Sequence, residues 1–112
     1  MSNVALVQAQ LDAYNAQDVE RFMKAYAADA ILAAHNGAVL AEGADAIRAR
    51  HENLFKSFPQ NQATLVNRIA FGSYVIDHED VSRAPGGERF QVAAVYTIKN
   101  GLIARVDFVR EA

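Results

Sequence analysis

Phe90-Gln-Val-Ala-Ala-Val-Tyr-Thr-Ile-Lys-Asn-Gly-Leu-Ile-Ala-Arg-Val-Asp-Phe-Val-Arg110 is the stretch whose reading decides the fold. Two β-rich runs flank Asn100-Gly101, a pair that tolerates the positive φ angles of a tight hairpin turn. Two registers are open. In a two-residue type I′ turn Lys99 faces Leu102; in a three-residue loop with Gly101 as the left-handed bulge residue, Ile98 faces Leu102. A slip of one residue exchanges the faces, so side-chain chemistry arbitrates. The I′ register mixes Arg105 and Asp107 with Tyr96 and Ala94. The bulged register collects Val92, Ala94, Tyr96, Ala104, Val106 and Phe108 on one face and sets Val95, Thr97, Arg105 and Asp107 on the other. It is therefore the predicted register, with the face holding the charge pair assigned to a ligand chamber.

Upstream, the spacing predicts a helix over 3–16, with Val4, Val7, Leu11 and Tyr14 as its stripe and Ser2 or Asn3 as its cap. Asp18 caps a second helix carrying Val19, Phe22, Met23 and Tyr26. A short strand over 30–34 leads through His35-Asn36-Gly37 into 38–40. Gly43 then precedes a third helix striped by Ile47, His51, Leu54, Phe55 and Phe58, and Pro59 stops it. From Gln62 the chain turns to β-rich runs near 62–71, 74–83, 88–99 and 102–110. Helices first and a strand meander afterwards predict an α+β fold, with helices packed on one face of an antiparallel sheet. One domain spans 1–112.

The turns give the sheet a register. Gly72-Ser73 sets Phe71 opposite Tyr74, and so Asn67 opposite His78. A turn at Pro85-Gly86 sets His78 opposite Ala93, and the bulged hairpin sets Ala93 opposite Asp107. The predicted row is Asn67, His78, Ala93, Asp107; the next is Ile69, Ile76, Val95, Arg105. His78 is the candidate general acid or base, Asp107 its orienting partner or a base itself, and Arg105 the cation for developing negative charge. Asn67, Ile76 and Val95 are assigned to substrate binding, with Tyr14, Phe22, Tyr26 and Phe55 as the helical wall. Alternation sends Asp77 and Glu79 to the opposite face, as solvated or interface charges. His51 is expected as a packed core histidine and His35 at the chamber mouth or in solvent.

Composition bounds the function. The chain has 112 residues, 52% hydrophobic and 21% charged, with a formal net charge of -2 and no cysteine. That is ordinary for a globular protein and argues against nucleic acid or an anionic membrane as partner. Thiol catalysis and zinc–thiolate sites are excluded. No HxH or HExxH spacing supports a metal, and no phosphate loop or dinucleotide fingerprint supports a cofactor, so neither is expected. Without a leader or a membrane-length apolar run, the expected location is the cytoplasm.

The segments Ala13-Tyr-Asn-Ala-Gln-Asp18, Leu40-Ala-Glu-Gly-Ala-Asp-Ala-Ile-Arg-Ala-Arg50, Val66-Asn-Arg68, Val75-Ile-Asp-His-Glu79 and Val95 to Val106 resemble the SnoaL-like branch of the nuclear transport factor 2-like superfamily. The resemblance implies a cone-shaped barrel: a curved antiparallel sheet with three N-terminal helices enclosing a pocket, commonly dimeric through the sheet. The catalytic Tyr, Asp and Asp of ketosteroid isomerases fall here on Gln10, Ala34 (with His35 beside it) and Val95, so that chemistry is not expected. Arg105, Asp107, Asn67 and Asp80 are similar in kind to the residues of limonene epoxide hydrolases, and Asp107 to the single base of SnoaL-type cyclases. Two uses stay open. One is a cofactor-free isomerase, cyclase, dehydratase or hydrolase acting on a small, partly apolar molecule. The other is a non-catalytic ligand-binding or dimerisation module. Both carry a homodimer through Val92, Ala94, Tyr96, Ala104, Val106 and Phe108.

Overall fold

Ser2 opens the first helix, α1 (Asn3–Asn15), its side chain accepting a hydrogen bond from the Ala5 amide; Asp18 does the same for the short α2 (Val19–Met23) through the Arg21 amide. Both caps follow the sequence reading. The computed structural model, which describes residues 1–111, then departs from it: Tyr26 starts a strand and does not end a helix. That strand, β1 (Tyr26–Ala34), turns into β2 (Val39–Glu42), and α3 (Ala44–Ser57) follows. Four strands complete the chain: β3 (Gln62–Phe71), β4 (Tyr74–Ser82), β5 (Arg89–Lys99) and β6 (Leu102–Arg110).

The strands form one six-stranded curved sheet in the order β2-β1-β6-β5-β4-β3. All neighbours are antiparallel except β1 and β6, which run parallel. A parallel pair needs a long crossover, and here α3 and the β3–β5 meander supply it. The helices close over one side of the sheet, α1 against β3 and β4, α3 against β1 and β2. The architecture is therefore α+β with three helices, as expected.

The registers of β3 with β4 and of β4 with β5 match the predicted pairs, including Phe71 opposite Tyr74, Asn67 opposite His78 and His78 opposite Ala93. The final hairpin does not. Asn100 and Gly101 both have positive φ, 53° and 76°, and Lys99 faces Leu102, so the turn is type I′. The bulge sits further along. Ile98 pairs with Ile103 and Thr97 with Arg105, leaving Ala104 as the extra residue. Asp107 consequently faces Val95, and Ala93 faces Val109. The predicted row from Asn67 to Asp107 is broken, and Asp107 sits one row away from His78.

The bulge restores the sorting that an uninterrupted I′ register would lose. Ile98 and Ile103 point inward on the turn side, and Val106, Tyr96 and Ala94 point inward beyond it, all buried. The predicted grouping holds for Val92, Ala94, Tyr96, Val106 and Phe108 and for Val95, Thr97, Arg105 and Asp107, but Ile103 joins the first set, Ala104 belongs to neither, and the two faces are the reverse of those expected. Three helices have apolar stripes to bury, among them Val7, Leu11, Phe22 and Ile47, and only the most apolar face of the sheet matches them. Val92, Ala94, Tyr96 and Val106 thus lie inside the fold with half-buried Phe108 packed beside them, and Ala104 is the bulge. This set is the floor of the core and not a surface for a partner chain.

Candidate functional site

Between the helices and the inner face of the sheet lies a chamber of about 560 Å³, within the range of small-molecule sites. Phe22, Tyr26, Leu32 and Tyr96 are among its apolar and aromatic walls. Tyr14 and His51 enter from α1 and α3, and Phe55 stands behind Tyr14, edge-on at 5.7 Å. The helical residues Tyr14 and Phe22, together with Tyr26 on β1, thus line the chamber as expected.

Among the described residues, the one carboxyl side chain lining the chamber comes from β4. Alternation turns Val75, Asp77, Glu79 and Val81 inward, and all four are buried. Asp77, 0% exposed, is held by both forks of Arg68: Nε donates to Oδ1 at 2.7 Å and Nη2 to Oδ2 at 2.9 Å. Arg68 Nη1 also donates to Gln8 Oε1 at 2.9 Å, which ties β3 to α1. Glu79 has no such partner. It is 7% exposed, lines the chamber, and its buried Oε2 accepts no hydrogen bond among the described residues. Burial pushes its carboxyl up to about 7, the Asp77 charge adds to the shift, and Arg68 partly offsets it. A carboxyl poised there accepts and returns a proton near neutral pH.

Phenolic and amide groups surround it. Tyr26 donates to Gln10 Oε1 at 2.9 Å, and the Tyr96 hydroxyl lies 3.4 Å from the same amide. Tyr14 accepts from Asn61 Nδ2 at 2.7 Å, which leaves its own proton available to a ligand. Burial raises the Tyr14 pKa, while the bond from Asn61 and the nearby Arg83 charge pull the other way. Asn61 is fully buried and also accepts from Arg83 Nη1 at 2.8 Å. His51 Nδ1 must donate to the Ile47 carbonyl, 2.8 Å away, so Nε2 is left as the acceptor. Burial lowers the His51 pKa to about 4, and the ring is neutral at pH 7. It packs on Phe22 at 4.3 Å, the core histidine the helical stripe implied.

The remaining predicted site residues lie on the other side of the sheet. His78 bonds through Nε2 to Gln91 Oε1 at 2.6 Å near the surface, and Arg105 pairs with Asp107 at 3.1 Å, its side chain 43% exposed. Asn67, Ile76 and Val95 share that outer face, with Asn67 paired to His78 and Ile76 to Val95. None of the six lines the chamber. The cause is the inverted face assignment, since every inward residue of β4 is odd-numbered and His78 is even. Asp77 and Glu79, expected in solvent, are the inward ones. Among the described residues no cluster of His, Asp and Glu is arranged to hold a metal ion, and no helix is long and apolar enough to cross a membrane.

Residues 7–106 match the family model of the SnoaL-like domain. The chain belongs to the SnoaL-like family. Among solved structures, an uncharacterised cystatin-fold protein from Novosphingobium aromaticivorans is 36% identical, with a TM-score of 0.93 over 98% of this chain and 99% of that one. A candidate polyketide cyclase from Sinorhizobium meliloti is 26% identical, with a TM-score of 0.79 over 93% of each chain. A candidate ketosteroid isomerase from Kribbella flavida is 19% identical, with a TM-score of 0.81 over 96% of this chain and 76% of that one, a likeness of fold alone. No curated protein matches the sequence.

In this SnoaL-like chain, the polar chamber residues Glu79, Gln10 and Arg83, and Asn61 that braces Tyr14 and Arg83, were not among the residues assigned to the site from sequence. A signal for the first was present. The Gly72-Ser73 register sets Arg68 opposite Asp77, an oppositely charged pair on one face, and Glu79 shares that face with Val75 and Val81. A pair of that kind flanked by valines marks an inward stripe with a buried carboxylate next to it.

Proposed function

We propose that this SnoaL-like protein is a cofactor-free enzyme that removes a proton from a carbon next to a carbonyl in a small, partly apolar molecule. Glu79 is the base. Its carboxylate takes the proton, the carbon–hydrogen electron pair moves onto the carbonyl oxygen, and Tyr14, oriented by Asn61, donates a hydrogen bond to the oxyanion that forms. Return of the proton to another carbon gives isomerisation; attack of the enolate carbon on a second carbonyl, whose π electrons pass to its oxygen and take up the proton from Glu79, gives cyclisation. The observation that carries this reading is Glu79 itself, a carboxyl raised to about 7 with a buried oxygen lacking a partner, in a chamber of ligand size. A structural relative 26% identical is named as a candidate polyketide cyclase, and cyclisation is one of the two outcomes open to this proton transfer.

The test is solvent deuterium uptake at the α-carbons of 2-tetralone and cyclohexenones, followed by proton NMR. Exchange faster than in buffer is expected, reduced about a hundredfold in Glu79→Gln and about tenfold or more in Tyr14→Phe. Exchange in Glu79→Gln equal to that of the unaltered protein contradicts the proposal.

Assembly is part of the same reading. The outer face of β3 and β4 presents Ile69, Phe71 and Tyr74 at 52%, 60% and 44% exposure, in the paired rows Ile69–Ile76 and Phe71–Tyr74. A homodimer covering this face takes the place of the expected one, whose residues Val92, Ala94, Tyr96 and Val106 are buried in the fold.

A further inference from the structure

We propose that the chamber binds its substrate by a carboxylate group, captured by Arg83 at one end while the carbon skeleton extends toward Glu79. This deepens the reading of the chamber as a substrate site and rests on it. Among the described residues, the arginines Arg50, Arg83 and Arg110 line the chamber, and Glu79 is the only acidic side chain that does. None of the three makes an ion pair among the described residues, whereas Arg21, Arg48, Arg68, Arg89 and Arg105 all do. Of the acids near this end, Asp80 is taken by Arg89 at 2.7 Å, Glu88 is exposed and meets Arg83 through the backbone, and Glu111 is exposed beside the shallow depression that Arg110 also borders.

Arg83 is built to hold still. Its guanidinium carbon lies 4.8 Å from the Phe90 ring and 5.7 Å from that of Phe58, and Nη1 is committed to the fully buried Asn61. Arg110 stacks on the same Phe90 ring at 3.9 Å, so two guanidiniums converge on one aromatic side chain. Like charges drawn to one ring without a counter-ion among the described residues favour an anionic ligand. The geometry points to a carboxylate. With Nη1 occupied, Arg83 keeps its Nε–Nη2 edge, the edge with which Arg68 already holds the Asp77 carboxylate in this molecule. Arg83 directly follows the end of β4, lines the chamber with Glu79 and Val81, and its backbone amide donates to the Glu88 carbonyl at 3.0 Å. Glu79 lies within the strand and Arg83 beyond its end, which separates the anion site from the reacting carbon along the chamber.

The experiment is calorimetric titration at neutral pH with a series of ω-phenylalkanoates of increasing chain length, each beside its methyl ester. In the unaltered protein the best-bound acid is expected to bind about tenfold or more tightly than its ester, the size of one charge-assisted pair. Raising the ionic strength weakens the acid and leaves the ester unchanged. Arg83→Gln brings acid and ester within about twofold of each other, while Glu79→Gln keeps the preference. An ester bound as well as its acid, a preference insensitive to salt, an Arg83→Gln protein that retains it, or no binding by any acid of the series overturns the proposal. The salt arm needs no variant and decides the matter if Arg83→Gln does not fold. Loss of deuterium exchange bears on the base and not on this preference, so the two readings fail separately.

Discussion

Asp77 and Glu79 are two residues apart on one strand and equally inward, yet they have opposite surroundings. Arg68 satisfies both oxygens of Asp77 and nothing among the described residues satisfies Glu79 Oε2. Removing either member of the buried pair strands the other. Arg68→Ala leaves a fully buried carboxylate and is expected to cost about 3–5 kcal/mol in denaturant melts. Asp77→Asn costs less, because the Arg68 side chain is 14% exposed and also reaches Gln8. Glu79 works in the other direction. Its carboxyl is raised from 4.5 to about 7, so between those values the folded protein holds a proton that the unfolded chain has lost. Stability from this group is complete below about 4.5 and disappears as pH rises through about 7, a change on the order of 3 kcal/mol. His51, lowered from 6.5 to about 4, has the opposite slope, adding stability as pH rises over that window. Comparison with Glu79→Gln isolates the first effect. The melting temperature of the variant relative to the unaltered protein is expected to climb from pH 4.5 to pH 7 and level off above. A difference independent of pH contradicts the assignment.

At the scale of elements, the final hairpin carries the register on which the site depends. The sequence reading chose between a turn and a bulge, and the chain uses both: a type I′ turn at Asn100-Gly101 and an extra residue at Ala104. Side-chain sorting was legible because either single-residue shift restores the same alternation. The position of the bulge was not, because nothing in Leu102-Ile-Ala-Arg105 distinguishes Ala104 from its neighbours as the residue to leave unpaired. Deleting Ala104 converts the pair to an uninterrupted ladder and turns Val106 and Phe108 outward or forces Ile103 out. Loss of the cooperative thermal transition is expected by circular dichroism, whereas Ala104→Ser is tolerated. Strand limits were easier to read, since 62–71 and 102–110 are bounded by glycine turns and by a change of periodicity.

For the whole molecule, the decisive question is which face of the sheet the helices cover, and pairing alone leaves it open. A charged pair among small residues on Arg105 and Asp107 reads as a polar chamber, but three helices require the most apolar face, and they take it. The fold class, the caps, the helical wall of Tyr14 and Phe22 and the registers of β3 with β4 and β4 with β5 were legible in the sequence, whereas the final hairpin register, the parallel pairing of β1 with β6 and the site face were not. The face left outward bears Ile69, Phe71 and Tyr74, and sedimentation at micromolar concentration is expected to show a dimer that Phe71→Glu dissociates. A monomer in the unaltered protein contradicts that assembly.

The chemistry proposed for the chamber turns on a Glu79 carboxyl that ionises near neutrality. The most direct measurement is a carbon-13 NMR titration of the glutamate side-chain carboxyls, with the Glu79 resonance assigned by its absence in Glu79→Gln. A midpoint near 7 is the expected result. A midpoint for that resonance in the ordinary carboxylate range, about 4, contradicts the account.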